Sequence, residues 1–199
     1  SGPALSLQVG VCVRSWSSAL RSCAIGDQEF RGPLADHHRG RIGVGRDDGL
    51  NAGEFSPIFY KEERFLLVTS GTFWLSPTPE IPSKGWDAAL NRICTYVLLE
   101  SKYEHKKLWV LNTHFDHIGE AARLHSAQLL IEKFAEFTQI VNAPMLLLGD
   151  FNAELDSPVY LLLKGSFQDL SCSMRHRELC SEPTFNAFTL NIMYTALMH

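Results

Sequence analysis

The sequence is poor in the features that mark several large classes of protein. It has no apolar run near the ~20 residues that a membrane-spanning helix needs, so membrane insertion is not expected. It has no excess of basic residues, because the formal net charge is −4, and this argues against a broad nonspecific grip on nucleic acid. No internal repeat or low-complexity tract is present. What remains is a chain of 199 residues, 45% hydrophobic and 20% charged, which suits one ordinary globular domain with a real core.

The sequence also lacks a Cys-x-x-Cys pair. Its five cysteines are widely scattered, at Cys12, Cys23, Cys94, Cys172 and Cys180. An odd and scattered set favours free thiols over a disulfide framework or a zinc site. This composition favours a reducing, intracellular compartment.

Apolar patterning predicts an α/β arrangement from about residue 42 onward. Residues 55–60 and 64–76 carry aromatic and β-branched side chains, and we predict that they pair as strands across the charged turn at 61–63. Residues 92–101 and 106–114 form a second predicted pair.

A helix and a further strand follow. Residues 119–141 are predicted to be helical, because a single stripe at helical spacing collects Leu124, Ala127, Leu130, Ile131, Phe134 and Phe137. Residues 143–150 then form a short apolar strand. A second, short helix is framed by Asp156 or Ser157, by Pro158 in its first turn, and by Gly165 at its end.

Polar side chains follow two of these strands directly. The first strand ends in Asn112, His114, Asp116 and His117, and the second ends in Asp150 and Asn152. Loops at strand ends can aim polar groups from a rigid base. Carboxylate, imidazole and amide groups together suit metal-assisted hydrolysis, in which they orient water and stabilise developing charge.

Each motif also has a plain structural interpretation. The stretch "GDFN" at 149–152 is a good turn sequence, and an isolated His114 is more often structural than catalytic. The ordered occurrence of both motifs, with a helix between them, is far more specific than either motif alone.

The motifs occur in the order "GRDDG", "GEFSPIFY", "FWLSPTPE", "GWD", "NRICTY", "LNTHFDH", "ARLHSAQLL", "LLLGDFNA" and "SPVY". In this order, and over residues 42–170, they resemble the endonuclease/exonuclease/phosphatase superfamily, the magnesium-dependent phosphodiesterase fold. The resemblance implies one domain over residues 1–199 with a four-layer α/β/β/α sandwich, in which helices flank two mainly antiparallel sheets. Because the chain starts at Ser1 and the terminal motifs are weak, we expect the fold to be incomplete at both ends.

The resemblance also implies roles for individual residues. Asp150 activates water, His114 stabilises the transition state, and Glu54 lies near that histidine. The substrate-binding positions are Asn152, Asn112, Arg92, Tyr60 and Arg46, although a surface turn is an equal reading for Arg46. The implied cofactor is Mg²⁺ or Mn²⁺, with Asp150 and Asn152 as ligands.

Several aromatic and charged residues near these motifs have plainer expectations. For Trp74 and Trp86 a packing role is expected ahead of a place in the wall of a substrate cleft, and for Arg123 and His125 a solvated helix face is expected. Asp169 is a weaker catalytic candidate.

Two departures from the family's pattern bear on catalysis. The family's chief metal ligand is a glutamate near the N-terminus, and here Val9 stands in its place; valine cannot ligate a hard cation. Glu29 is chemically suitable but is expected to be a surface residue. The family's closing Asp-His pair is also missing, since "NIMYTALMH" only echoes the preceding strand and no aspartate precedes His199.

Three functions therefore compete. The first is a metal-dependent phosphoester hydrolase, of phosphodiesterase, nuclease or phosphatase type, acting on nucleic acid or a small phosphorylated molecule. The second is a catalytically impaired or truncated member that acts as a binding domain. A nucleic-acid binding module is weaker, because "HHRGR" is the only compact basic stretch.

Overall fold

In the computed structural model, residues 40–168 are described in full, together with the backbone of short strands outside that range. The strands are β1 Val9–Val11, β2 Arg14–Ser15, β3 Ala24–Ile25, β4 Gln28–Glu29, β5 Arg39–Ile42, β6 Glu54–Phe55, β7 Ile58–Lys61, β8 Phe65–Trp74, β9 Ile93–Ser101, β10 Lys107–His114, β11 Met145–Asp150, β12 Gln168–Asp169 and β13 Asn191–Thr195. The helices are α1 Glu120–Ile140 and α2 Pro158–Ser166.

The largest sheet has six strands in the order β12-β13-β11-β10-β9-β8. Its pairs are antiparallel except for β10 and β11, which run parallel and are joined by α1. The predicted pairing of 92–101 with 106–114 is confirmed as the β9–β10 hairpin.

The predicted pairing of 55–60 with 64–76 is wrong. Strand β7 pairs with β1 and β5 in a second, three-stranded sheet, whereas β8 pairs with β9. The charged residues 61–63 are therefore a crossing between two sheets and not a hairpin turn. Adjacent strands in sequence often pair, but here β7 lies in the second sheet and packs Ile58 and Tyr60 against the face of the large sheet.

The two faces of the large sheet carry separate apolar clusters. Because side chains alternate along a strand, residues of one parity in the central strands face the helices: Trp109, Leu111, Met145 and Leu147. The residues of the other parity face the second sheet, namely Val110, Leu146 and Leu148, which cluster with Ile58 and Tyr60. Strands covered on both sides read as continuous apolar runs, as β11 does.

Both predicted helices are confirmed. In α1 the predicted stripe packs on the sheet, with Ala127, Leu130 and Phe137 buried. In α2 the cap is Ser157, whose Oγ accepts a hydrogen bond from the Tyr160 amide at 3.3 Å, and Pro158 follows it in the first turn. Within the described residues, no helix is both long and apolar enough to cross a bilayer.

The predicted fold class is confirmed: this is an α/β fold with two mainly antiparallel sheets and flanking helices. The described residues supply three successive layers, which are the helices α1 and α2, the six-stranded sheet, and the sheet β1-β7-β5. Cys94, the cysteine within residues 40–168, is a buried free thiol, and the other four lie outside the described residues.

We predict that Gly149→Ala destabilises the protein by about 2 kcal/mol or more. Gly149 has φ +144°, and a Cβ there would meet the carbonyl oxygen of Thr113 on the neighbouring strand. Urea denaturation measures the loss. Gly165→Ala is the matched control: a Cβ there has nothing within 4 Å, and alanine should stabilise α2 by roughly 0.5–1 kcal/mol. Equal effects of the two substitutions would contradict the prediction.

Candidate active site

The parallel pairing of β10 and β11 brings two polar side chains together. His114 and Asp150 are the last residues of their strands and lie directly opposite each other in the ladder. Both have the parity of Val110 and Leu146, so both lie on the face of the sheet that is turned towards the second sheet. The sequence order of the two motifs therefore becomes spatial adjacency at one edge.

Beyond the ladder, further hydrogen bonds join the ends of β10 and β11. The Phe115 amide donates to the Asp150 carbonyl at 2.9 Å, and Asn152 Nδ2 donates to the Phe115 carbonyl at 2.9 Å. The Asn152 amide donates to Asp150 Oδ1 at 2.9 Å, and Asn152 has φ +46°, a conformation that asparagine tolerates. The "GDFN" segment is thus a real turn, and the same turn presents Asp150 and Asn152 at the sheet edge.

His114 lies between two carboxylates. Its Nδ1 is 3.5 Å from Glu54 Oε2, and its Nε2 is 3.7 Å from Asp150 Oδ2. All three side chains are about one-fifth exposed, so they are open to a ligand yet partly removed from water. Nδ1 is buried and has no hydrogen-bond partner among the described residues.

Glu54 forms ion pairs with two arginines. Arg46 Nη1 donates to Glu54 Oε2 at 2.6 Å, and Arg92 Nη1 lies 3.8 Å from the same oxygen. Burial acts to raise the pKa of Glu54, but His114 and the two guanidinium groups outweigh it and hold this pKa below its ordinary value. Glu54 is therefore ionised at neutral pH. The backbone of Arg46 is held in turn, because its main-chain carbonyl accepts a hydrogen bond from Trp74 Nε1 at 2.7 Å.

Arg92 is almost fully buried and is held on its other side. Its Nε donates to Asp116 Oδ2 at 3.2 Å, and its Nη2 lies 2.9 Å from His117 Nδ1. Since a guanidinium can only donate, His117 Nδ1 must accept, which places the proton of the neutral ring on Nε2. Arg92 Nη1 is left facing Glu54 without a hydrogen-bond partner among the described residues.

Asp116 anchors this arrangement. Its Oδ1 accepts from the amides of Ile118 and Gly119 at 2.9 and 2.8 Å, and its Oδ2 accepts from Leu90 and Arg92 at 3.3 and 3.2 Å. Burial acts to raise the pKa of Asp116, but these donors dominate and lower it far below its ordinary value. One buried carboxylate thus joins the start of α1 to the arginine of the site.

The structure separates the predicted site residues into two groups. It gathers Asp150, Asn152, His114, Glu54, Arg46 and Arg92 at one edge of the sheet. It places two others between the sheets: Asn112 is fully buried and donates from Nδ2 to the Pro57 carbonyl at 2.9 Å, and Tyr60 packs in the apolar cluster with Val110. Burial and nearby Glu62 raise the pKa of Tyr60, so its hydroxyl keeps its proton at neutral pH.

Four predictions concern residues whose side chains lie outside the described part. Val9 pairs in register with Tyr60 through β1, and Glu29 lies on β4, but only their backbones are described. Asn191 begins β13 opposite Gly149, so the segment that only weakly resembles the family's closing strand does form a strand. His199 lies outside the described residues.

Sequence reasoning missed the roles of two aspartates. Asp116 was noted at the strand end but not as the anchor of Arg92, and Asp87 of "GWD" had no predicted role. Asp87 Oδ1 and Oδ2 accept from the amides of Ala122 and Ala121 at 2.6 and 3.3 Å, which caps α1 from a distant loop. The absence of a cap-forming side chain before α1, where Gly119 stands, is the signal that could have pointed to a distant cap.

The described donor set only partly fits a divalent cation. Asp150 and Asn152 offer oxygen atoms of the kind that Mg²⁺ prefers, and Mg²⁺ commonly fills its remaining positions with water and substrate phosphate. Within residues 40–168, however, no group of three or more His, Cys, Asp and Glu side chains is placed to hold a metal. Glu54 is already engaged by Arg46 and Arg92.

Comparisons with known proteins agree with this architecture. A mannosyl-6-phosphatase of Bacteroides thetaiotaomicron is 36% identical with a TM-score of 0.70, covering 80% of this chain and 63% of that one. An endonuclease/exonuclease/phosphatase of Bacteroides vulgatus is 32% identical with a TM-score of 0.67, covering 79% and 65%. An uncharacterized protein of Acanthamoeba polyphaga mimivirus is 30% identical over 112 residues, which are 55% of this chain and 41% of that one. No protein-family model matches the chain.

The fold and the site define a mixed α/β protein whose charged residues gather where two parallel strands end. The likeness in structure and sequence confirms the predicted relationship with the endonuclease/exonuclease/phosphatase superfamily, whose fold this chain has. The chain spans less than two thirds of the length of these relatives.

We predict that Asp116→Asn destabilises the protein by about 3–5 kcal/mol, because it breaks the buried ion pair with Arg92 and leaves only Glu54, at 3.8 Å, opposite that charge. An amide there would also turn an N–H towards other donors, which are Leu90 and Arg92 in one orientation and Ile118 and Gly119 in the other. Glu136→Gln, in an exposed pair with Lys133, is the control and should change stability by less than about 1 kcal/mol. Urea denaturation of the two variants checks the difference.

The lowered pKa of Asp116 predicts that the stability of the protein depends on pH. Because the folded pKa of Asp116 lies below its ordinary value of 3.8, its stabilisation is complete above that value and is lost as the pH falls through the folded pKa. The free energy of unfolding of the wild-type protein should fall in this acid range, and Asp116→Asn should flatten that fall. A variant that loses stability as steeply as the wild type would contradict the assignment.

Proposed function

We propose that this protein hydrolyses phosphoesters at the edge formed by β10 and β11. The observation that carries the proposal is His114 held between Glu54 and Asp150, with Arg46 and Arg92 beside them. Similarity to proteins of the endonuclease/exonuclease/phosphatase family, one of them a mannosyl-6-phosphatase, supports the same reaction class.

In the proposed reaction Asp150 acts on the attacking water. Its Oδ1 is occupied by the Asn152 amide, which leaves Oδ2, on the His114 side, to accept a proton from water. The water oxygen then bonds to phosphorus, the bond from phosphorus to the ester oxygen breaks, the leaving oxygen takes up a proton from solvent water, and Asp150 returns its proton to solvent. Phosphoryl transfer depends mainly on positioning and on neutralising charge, so a fixed carboxylate suits this role.

The remaining residues bind the phosphoryl group in this proposal. Asn152 uses one N–H of its amide for the Phe115 carbonyl, which leaves its second N–H for a phosphate oxygen. His114 donates to the charge that develops in the transition state. Arg92 is buried behind Glu54, with its Nη1 3.8 Å from Glu54 Oε2, so in this proposal it attracts the anion through its positive charge while it keeps its bond to Asp116.

A divalent cation, Mg²⁺ or Mn²⁺, is part of the proposal. Asp150 and Asn152 would hold it from the described part of the chain. When bound, such an ion neutralises phosphoryl charge as a Lewis acid. Arg46 and Arg92 supply part of the same neutralisation from the protein itself.

A sugar phosphate is the substrate class that we propose first. It is supported by 36% identity with a mannosyl-6-phosphatase over most of this chain. The net charge of −4 also disfavours a long polyanion such as nucleic acid.

Replacing Asp150 or His114 tests the proposed site. Asp150→Ala and His114→Gln should each lower kcat by ~100-fold or more, since each removes a group that acts in the transition state. Hydrolysis of bis(p-nitrophenyl) phosphate and of mannose 6-phosphate, measured with Mg²⁺ and with Mn²⁺, gives the rates. Asp156→Ala, at an exposed position before α2, is the control and should leave them unchanged.

The cation is tested separately. Chelation should abolish turnover, added Mg²⁺ or Mn²⁺ should restore it, and Asn152→Ala should raise the cation concentration needed for half-maximal rate. Turnover that survives chelation would refute the metal requirement. If folded wild-type protein shows no turnover but binds a phosphorylated ligand in calorimetry, the alternative of a non-catalytic binding domain replaces the proposed activity.

A further inference from the structure

The loop between β8 and β9 carries an exposed tryptophan in an unfavourable backbone conformation. Trp86 has φ +47°, in the left-handed region that bulky residues rarely adopt, and its side chain remains 38% exposed. Its indole stacks on the ring of His125, with centroids 4.7 Å apart and planes 18° apart. Such backbone strain costs about 1–3 kcal/mol and gathers at functional sites. Burial does not explain this strain, because much of the ring remains in solvent.

The turn that carries Trp86 is fixed to the start of α1. The Ala88 amide donates to the Gly85 carbonyl at 2.9 Å, and Asp87 accepts from the Ala122 amide at 2.6 Å. Gly119 lets the two segments meet, since a Cβ there would lie 2.6 Å from Asp87 Oδ1. The exposed ring is therefore held in place by the fold.

The stacked pair belongs to segments that start at the same end of the large sheet as His114, because β9, which follows the Trp86 loop, runs antiparallel to β10. Five residues, 115–119, connect His114 to the start of α1, and Asp116 ties that connection to Arg92. His125 is the sixth residue of α1, so it lies about 8 Å along the helix axis from Glu120.

We propose that Trp86 and His125 form a platform that binds the sugar ring of a sugar phosphate whose phosphoryl group lies at His114 and Asp150. This assignment rests on the proposed function and names the part of the site that selects the substrate. The C–H groups on one face of a pyranose ring carry partial positive charge and pack well on the negative face of an indole.

The surroundings favour a sugar over a nucleotide chain. The carboxylates of Asp87 and Glu120 lie next to Trp86 and at the start of α1, and they would repel the successive phosphates of a nucleic acid. A sugar ring carries hydroxyl groups instead, which can donate to such carboxylates.

Trp86→Asn is the informative variant, because asparagine tolerates the left-handed backbone and removes the ring. We expect KM for mannose 6-phosphate to rise roughly tenfold with kcat little changed, since an aromatic contact to a remote ring binds substrate and transition state alike. KM for glycerol 3-phosphate, which has a phosphate but no ring, should not change. Trp86→Phe should recover most of the loss, and Tyr103→Ala, at an exposed turn, is the control.

Binding is measured in parallel so that the two proposals can fail separately. Calorimetric titration of mannose 6-phosphate into Asp150→Ala protein, with and without Trp86→Asn, reports the platform whether or not the chain hydrolyses anything. Loss of binding on removal of Trp86, in a chain without hydrolysis, would overturn the proposed function and keep the platform.

Three results would overturn the platform itself. The first is unchanged affinity for mannose 6-phosphate in Trp86→Asn protein. The second is an equal loss for glycerol 3-phosphate, which would make Trp86 a structural residue. The third is Trp86-dependent binding of adenosine monophosphate that is tighter than binding of mannose 6-phosphate, which would make the platform a base-stacking site.

Discussion

The parallel ladder between β10 and β11 is the constraint on which the rest of the structure depends. Its register sets His114 opposite Asp150, and its parallel direction requires the crossover that α1 supplies. Burial on both faces makes this pair of strands the centre of the core. A shift of one residue in register would move Asp150 to the helix side and exchange the two apolar clusters.

Electrostatics at the sheet edge depend on a charge that never meets solvent. Asp116 holds Arg92, Arg92 faces Glu54, and Glu54 lies beside His114. Within residues 40–168 the buried charges are Arg92 and Asp116, and each is the other's partner, as the cost of burying an unpaired ion requires. The result is a set of side chains with few alternative positions, which is the condition for a site that binds or transforms an anion.

Local pattern explains much of the architecture and half of the site. The periodicity of 119–141 and the apolar run before Asp150 specified α1 and β11, and the order of the two polar motifs pointed to His114, Asp150 and Asn152. The family resemblance, and not local pattern, predicts that Asn112 and Tyr60 bind substrate; in the structure both side chains lie between the sheets. Local sequence gives the type of a residue but not what packs over it. It therefore cannot predict whether an asparagine or tyrosine in a strand faces the core or a cleft.

The sequence by itself determined the helices, most strands and the residue types that gather at the end of β10 and β11. Only the tertiary structure decided which strands pair, since β7 and β8 are neighbours in sequence but lie in different sheets. It alone brought Arg92 to Asp116, Asp87 to the start of α1, and Trp86 onto His125. These contacts join residues 24 or more positions apart, and no local periodicity encodes them. They form when the sheets and α1 pack together, because packing buries charges and backbone groups that then need partners.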